Sequence, residues 1–144
     1  MDSIAFRIDC IPPKSTHQAS LRIMKRRDGT QFVGKMATSK GKATQNELIA
    51  LVAEHRPAQP FAGPVRLLVE WDYPWRKSES KKSRLTGFRW CDTRPDCDNI
   101  VKLLKDVLTR LNFWGDDSQV ADLIFKKRWC DKPGIGIQIV ALEE

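Results

Sequence analysis

The sequence has little that would place the protein in a membrane. No apolar run approaches the roughly 20 residues that span a bilayer. The N-terminal stretch MDSIAFRIDCIPPK lacks the basic start and the apolar run of a signal peptide. We therefore expect a cytosolic protein that has no membrane partner.

Cysteine and histidine are also scarce, which bears on metal binding. The four cysteines, Cys10, Cys91, Cys97 and Cys130, form no CxxC pair, and the two histidines are far apart. Zinc sites usually show closely spaced ligands of these types. We predict reduced, mostly buried thiols and no zinc site.

What the sequence does have is positive charge on a chain of modest length. The 144 residues carry a formal net charge of +7 and are 41% hydrophobic. This length fits one compact domain with its own core, so residues 1–144 are taken as a single domain. Acidic proteins, membrane surfaces and nucleic acids are all possible partners for such a charge.

A basic segment at about residues 73–93 concentrates this charge and contains aromatic residues. Ser and Lys are frequent enough there to predict a long loop. The candidate DNA-binding residues in and beside it are Arg76, Lys77, Lys81, Lys82, Arg84, Arg89 and Arg94. Such a segment can neutralise phosphates and stack on bases. A solvated, disordered loop is the competing interpretation.

Hydrophobic patterning predicts an α/β (α+β) fold, with two main helices packed on a small mixed sheet. Strand patterns occur in AFRIDCI, PVRLLVEWDY, QVADLIFKKRW and IGIQIVALE, and a hairpin is centred on Asp28–Gly29. The first helix is expected in KATQNELIALVAEHR, opened by a capping box of Thr44 and Glu47. The second is expected from Asp98 to Leu111, where apolar residues recur at helical spacing.

Acidic residues mark both ends of the second helix. Asp96 and Asp98 stand at its start, where one aspartate is explained by helix capping. Lys102 follows Asp98 by four residues, a spacing that also suits a simple surface ion pair. Asp116 and Asp117 come after the helix, where a solvated turn is the simplest interpretation.

A chemical interpretation requires these acids to converge. The helix is roughly 20 Å long, so Asp117 reaches Asp96 and Asp98 only if the chain doubles back beside it. Converging carboxylates repel one another, and a bound cation would remove that penalty. Carboxylate oxygens suit Mg²⁺ or Mn²⁺, which can support phosphodiester hydrolysis.

The stretch RPDCDNIVKLLKDVLTRLNFWGDDSQV resembles the signature of the RusA-type Holliday-junction resolvases, endonucleases common in prophages. The resemblance runs without a gap from Arg94 to Val120, and a weaker one covers IPPKSTHQ near the start. The basic segment is longer than in short family members. For this reason no cleavage-sequence preference is carried over.

The resemblance implies a homodimer that cleaves branched DNA, such as four-way junctions, with Mg²⁺ as cofactor and Mn²⁺ as a possible substitute. By motif position, Asp96, Asp98 and Asp117 would be the catalytic, metal-binding acids. Lys102 would be the essential lysine and Asp116 an accessory acid. Edge strands and apolar residues such as Trp71 or Trp129 are candidates for the dimer interface.

Two other function classes stay open at this point. The chain could be a non-catalytic nucleic-acid-binding module, in which the aspartates are only caps and turns. It could also be an adaptor whose basic segment docks an acidic protein. Metal-stimulated cleavage distinguishes the nuclease from both, and salt-sensitive DNA binding distinguishes the binding module from the adaptor.

Overall fold

The computed structural model describes residues 2–16, 20–36 and 39–143. Along the chain the elements are β1 (Ser3–Ile8), β2 (Ser20–Lys25), β3 (Gln31–Met36), α1 (Ser39–Ala53), β4 (Val65–Pro74), α2 (Lys81–Leu85), β5 (Phe88–Trp90), α3 (Cys97–Arg110), a 3₁₀ turn (Asp117–Gln119), β6 (Val120–Cys130) and β7 (Gly134–Ala141). The predicted α+β class is confirmed.

One five-stranded mixed sheet forms the centre of the molecule, in the order β1-β7-β4-β6-β5. β4 is antiparallel to β7 but parallel to β6, and Val65 pairs with Val120 at the start of both strands. Parallel neighbours cannot be joined by a tight turn and need a long crossover. Here the crossover contains α2, β5 and α3. The predicted hairpin is present as β2 and β3, with Gly29 at a φ of 86° in its turn.

The core lies between this sheet and the apolar face of α3. The inward residues of β4, from Val65 to Trp71 at every second position, are fully buried, as their alternation predicts. α3 buries Ile100, Leu104 and Leu108 completely. Each such side chain contributes about 1.5–3 kcal/mol of hydrophobic stabilisation. This anchoring fixes the helix and leaves its polar flank at the surface.

The first helix begins earlier than predicted. α1 starts at Ser39, so Thr44 and Glu47 lie inside it and do not open it. Lysine and alanine favour helix, and one internal glycine, Gly41, costs only about 1 kcal/mol. The capping-box pattern of Thr44 and Glu47 therefore placed the start of the helix too late in the chain.

The segment at 73–93, predicted as a loop, contains two short elements. α2 begins after Ser80, whose Oγ accepts a hydrogen bond from the Ser83 amide at 3.1 Å. β5 pairs antiparallel with residues 128–130 of β6. The basic side chains of this segment are therefore displayed on an ordered scaffold.

The outer face of the sheet carries a buried ionic network. Asp72 is only 1% exposed and binds Arg7 at 3.1 Å and Arg128 at 2.8 Å. Arg128 also binds Glu70 at 3.1 Å. A buried carboxylate without such partners would be strongly destabilising. The network therefore ties β1, β4 and β6 together beside the core.

All four cysteines are free thiols, as predicted. The expectation that they are mostly buried is wrong, since only Cys91 is buried. Cys97 is exposed although it shares a helix face with Ile100 and Leu104, because it is the first residue of α3. Of the histidines considered as zinc ligands, His17 lies outside the described residues. No helix in the described ranges is long and apolar enough to cross a membrane.

Candidate active site

The start of α3 presents two carboxylates that are not used for capping. Asp96 is the N-cap residue, with φ −70° and ψ 149°, yet its side chain makes no capping hydrogen bond. Asp96 and Asp98 are both exposed, and neither carboxylate has a hydrogen bond or ion pair to the described residues. Capping therefore does not explain Asp96, and Asp98 forms no ion pair with Lys102.

The far end of the motif returns to the side of α3. Asp117 is half-buried in the 3₁₀ turn that leads into β6. It lines one pocket of about 380 Å³ together with Asp98 and Lys102. Leu123 and Phe125 of β6 complete the wall of this pocket. The strand that follows this turn runs beside α3, so one pocket is lined by an acid from each end of the motif and by the lysine.

Asp96 opens on a neighbouring pocket instead. That pocket has a volume of about 290 Å³, and Lys14, Arg94 and Asn99 are among its other lining residues. Within the described residues, no three Asp, Glu, His or Cys side chains are grouped as a metal site. Two of the three predicted metal ligands thus share a pocket, and the third lies next to it.

Asp98 and Asp117 are the two residues of this pocket that could hold a hard divalent cation. Mg²⁺ usually binds to proteins through one or two carboxylates and keeps waters and substrate phosphates in its other positions. Both carboxylates line the same open pocket, which leaves space for such ligands. This donor set contains only oxygen, and it therefore suits Mg²⁺ or Mn²⁺ better than zinc.

Asp116 is engaged in the turn itself. The Ser118 hydroxyl donates to its carboxylate at 2.6 Å. This hydrogen bond lowers the pKa of Asp116 below its ordinary value. The geometry accounts for Asp116 as a turn residue and does not place it on the wall of the Asp98 pocket.

Gln119 holds the turn that carries Asp117, although the sequence alone did not single it out. Its Oε1 accepts hydrogen bonds from the amides of Gly115 at 2.9 Å and Asp116 at 3.2 Å. Its Nε2 donates to the carbonyls of Phe61 and Gly63 at 2.9 and 2.8 Å. No local pattern announces this role, because two of the partners precede β4.

Lys127 supports the other end of the motif in a similar way. It is only 9% exposed, and its ammonium donates to the carbonyl of Thr93 and, at 2.6 Å, to that of Pro95. No carboxylate among the described residues pairs with it. Sequence did offer a signal here, since Lys127 stands between Phe125 and Trp129 at an inward position of β6. The lysine fixes the backbone directly before Asp96.

The basic residues fall into two groups. Arg76 and Arg89 both bind Glu79, at 2.6 and 2.9 Å, and the side chain of Glu79 is only 3% exposed. These hydrogen bonds, first from Arg76, lower the pKa of Glu79. The remaining residues proposed for DNA binding are exposed and form no ion pair to a described carboxylate: Lys77, Lys81, Lys82, Arg84 and Arg94.

Comparison with known families gives the decisive observation. The family model described as Endodeoxyribonuclease RusA matches residues 10–140. The chain belongs to the RusA endodeoxyribonuclease family. The RusA match includes both ends of α3, the 3₁₀ turn and β6, so it contains every residue that lines the Asp98 pocket.

Two relatives show how far the similarity extends. The Lactococcus phage r1t protein named crossover junction endodeoxyribonuclease rusA is 30% identical over 136 residues, which cover 93% of each chain. A Bacillus subtilis (strain 168) protein, the uncharacterized protein YqaN, is 38% identical over 99 residues. That alignment covers 65% of this chain and 69% of YqaN.

Replacing Lys127 with methionine tests its support of the Asp96 segment. Lys127→Met leaves two carbonyls without their donor, and we expect the free energy of unfolding to fall by about 1–3 kcal/mol. Urea denaturation followed by circular dichroism measures this loss. Lys126→Met is the matched control on the other face of β6, and it should change stability by no more than about 0.5 kcal/mol. Equal losses in the two variants would contradict the assigned role.

Proposed function

We propose that this RusA-family protein is a Mg²⁺-dependent endonuclease that hydrolyses phosphodiester bonds in four-way junctions or other branched DNA during recombination and repair. The observation that carries this proposal is the single pocket lined by Asp98, Lys102 and Asp117. The name of the phage relative, similar over nearly the whole chain, supports junction DNA as the substrate.

In this proposal Asp98 and Asp117 hold the metal, with Mn²⁺ as an alternative to Mg²⁺. Asp96 acts as the third acid from the adjoining pocket. When bound, the metal neutralises charge on the scissile phosphate and activates water for hydrolysis. The protein contributes carboxylates that form no ion pair with a described residue, and this leaves them available for a bound ion.

Lys102 has the complementary role of a cation at the same pocket. It lies one helical turn after Asp98 on the exposed flank of α3, and it forms no ion pair with a carboxylate in the described part of the chain. A fixed positive group aimed at a phosphate stabilises the negative charge that develops in the transition state. Lys102 is therefore assigned to charge stabilisation, and Asp116 is kept as an accessory acid at most.

Removing charge from the pocket tests the catalytic assignment. Asp98→Asn and Asp117→Asn preserve side-chain size but remove a metal-binding charge. We expect cleavage of a labelled synthetic four-way junction in Mg²⁺ to fall by several orders of magnitude. Junction binding, measured in EDTA by gel shift, should be retained or tightened because a negative charge near phosphate has been removed.

Asp106→Asn is the matched control, since Asp106 is an exposed aspartate on the same helix outside the pocket. It should cleave at the wild-type rate. Asp96→Asn is measured in parallel, because its carboxylate opens on the adjoining pocket. Wild-type protein that binds junctions but shows no cleavage with Mg²⁺ or Mn²⁺ would refute the nuclease function and favour a DNA-binding module.

The exposed cations of α2 are proposed to bind the DNA backbone. Neutralising Lys81, Lys82 and Arg84 with glutamine leaves up to three phosphates without a cationic partner. The slope of log affinity against log salt should become shallower by about 0.9 for each phosphate that is no longer neutralised on duplex arms. Titration at several salt concentrations gives the slope. Arg56→Gln, an exposed site after α1, should leave it unchanged, and an unaltered slope in the triple variant would exclude α2 from the interface.

A homodimer is proposed as the active unit, because resolving a four-way junction requires two symmetric nicks. β6 offers a surface for it. β5 covers only residues 128–130 of this strand, and Ile124 is 38% exposed on the face opposite the Asp98 pocket. Trp71 and Trp129, considered above for the interface, are buried in the core at 0% and 4% exposure and are excluded from it.

Light scattering at micromolar concentration tests the dimer. We expect a mass of roughly 33 kDa, twice the 16.5 kDa of the chain. Mixing wild-type protein with Asp98→Asn protein should produce heterodimers that nick one strand and resolve junctions poorly. A 16.5 kDa species that resolves junctions at the full rate would exclude the dimer.

A further inference from the structure

A third pocket, lined by aromatic and basic residues, adjoins the Asp96 pocket, with which it shares Lys14 and Arg94. Its volume is about 490 Å³, within the range of about 300–1,000 Å³ that is common for small-ligand sites. Trp75, which is half-buried, supplies most of its aromatic surface, since Tyr73 and Trp129 also line the pocket but are each only 4% exposed. None of the described residues that line it is acidic. The catalytic assignment above makes no use of this pocket.

The aromatic surface is held in place by specific contacts. The Trp75 indole nitrogen donates to Asp131 at 2.6 Å, and the Tyr73 hydroxyl donates to the Pro13 carbonyl at 2.7 Å. The guanidinium of Arg76 stacks on Trp129, 3.9 Å from the ring centre. A surface whose side chains are already fixed loses little entropy when a flat ligand stacks on it.

The same pocket has three cations that are free to bind an anion. Lys14, Lys77 and Arg94 line it, are exposed, and have no ion pair with the described carboxylates. Arg76 differs from them, because Glu79 already holds its guanidinium. The pocket thus combines a flat stacking surface with uncompensated positive charge. These are the two features that recognise a nucleotide outside a double helix.

The position of the pocket connects it to the acids. Lys14 and Arg94 line both this pocket and the smaller one that contains Asp96. A strand whose base occupies the aromatic pocket would therefore pass its sugar-phosphate backbone along Lys14 and Arg94 toward Asp96. Fully paired duplex cannot place a base there without unstacking it, whereas an already unpaired base at a branch point enters at a lower cost.

We propose that the Trp75 pocket binds one unpaired nucleotide of branched DNA. The base stacks on Trp75 and on the guanidinium of Arg76, and its phosphate is bound by Lys14, Lys77 and Arg94. This inference rests on the proposed action on DNA, and it adds a reason why branched DNA is preferred to duplex DNA. The preference arises from a base-binding pocket, in addition to the general positive charge.

Binding in EDTA tests the pocket separately from catalysis. The probes are a duplex with one unpaired thymine, the same duplex with an abasic residue at that position, and the fully paired duplex. Wild-type protein should bind the thymine probe more tightly than the abasic probe by between about fivefold and about a hundredfold, the effect of one base–aromatic stack. Trp75→Ala should abolish this difference, and Trp75→Phe should retain most of it.

Trp90→Ala is the matched control, because Trp90 is 60% exposed and lies outside the pocket. It should keep the wild-type preference for the thymine probe. If Trp75→Ala is unfolded by circular dichroism, Lys14→Gln combined with Lys77→Gln replaces it. That variant should reduce the salt dependence of thymine-probe binding more than that of fully paired duplex binding.

The outcomes separate this proposal from the nuclease function. Equal affinity of wild-type protein for the thymine and abasic probes would overturn the pocket, even if junctions are cleaved normally. An unchanged preference in folded Trp75→Ala would do the same. A preference that Trp75→Ala abolishes, in a protein whose wild-type form never cleaves, would support the pocket and refute the nuclease.

Discussion

The parallel pairing of β4 and β6 is the constraint on which the rest of the structure depends. Because both strands start at the same edge of the sheet, the chain must cross over between them. α3 itself makes the return of this crossover, since its start lies by Lys127, late in β6, and the chain just after its end, at Phe113, bonds to Phe61 ahead of β4. Asp117 follows at the start of β6 and lines one pocket with Asp98 and Lys102. The site is thus a consequence of strand direction.

Two polar side chains hold the backbone segments on either side of α3 in fixed positions. Gln119 fixes the returning turn to the backbone before β4, and Lys127 fixes the segment before α3 to the middle of β6. Both act on backbone carbonyls, so neither neutralises an acid of the site. The carboxylates of Asp96 and Asp98 have no ion-pair partner among residues 2–16, 20–36 and 39–143, in a protein of net charge +7. Such an arrangement suits an acidic metal pocket surrounded by cations that attract DNA.

The sequence predicted those parts of the fold that depend on local periodicity. The predicted range of the second helix, Asp98–Leu111, differs by one residue at each end from the observed α3, Cys97–Arg110. The buried alternation of β4 was also correct, because inward and outward positions differ strongly in hydrophobicity. The start of α1 was missed, since the capping-box pattern of Thr44 and Glu47 competes with good helix formers before it.

The site was only partly predictable, for a different physical reason. The motif identified the acids and the lysine, and its spacing required a chain reversal. However, which acids share a pocket depends on strand pairing that is not encoded near them. Lys127 and Gln119 act on partners roughly 30 to 60 residues away in sequence. A short window cannot contain both members of such a contact.

In the basic segment, one buried glutamate fixes the positions of two arginines. Glu79 binds two of its arginines and is kept ionised by them, since their hydrogen bonds lower its pKa. A lowered pKa means that this stabilisation is present at neutral pH and is lost only as the pH falls through the folded-state value. Two guanidiniums are thereby partly withdrawn from general phosphate binding. In return, the guanidinium of Arg76 is held over the Trp129 ring, and we infer that a planar cation fixed next to Trp75 can select an unpaired base, which a mobile cation would not do.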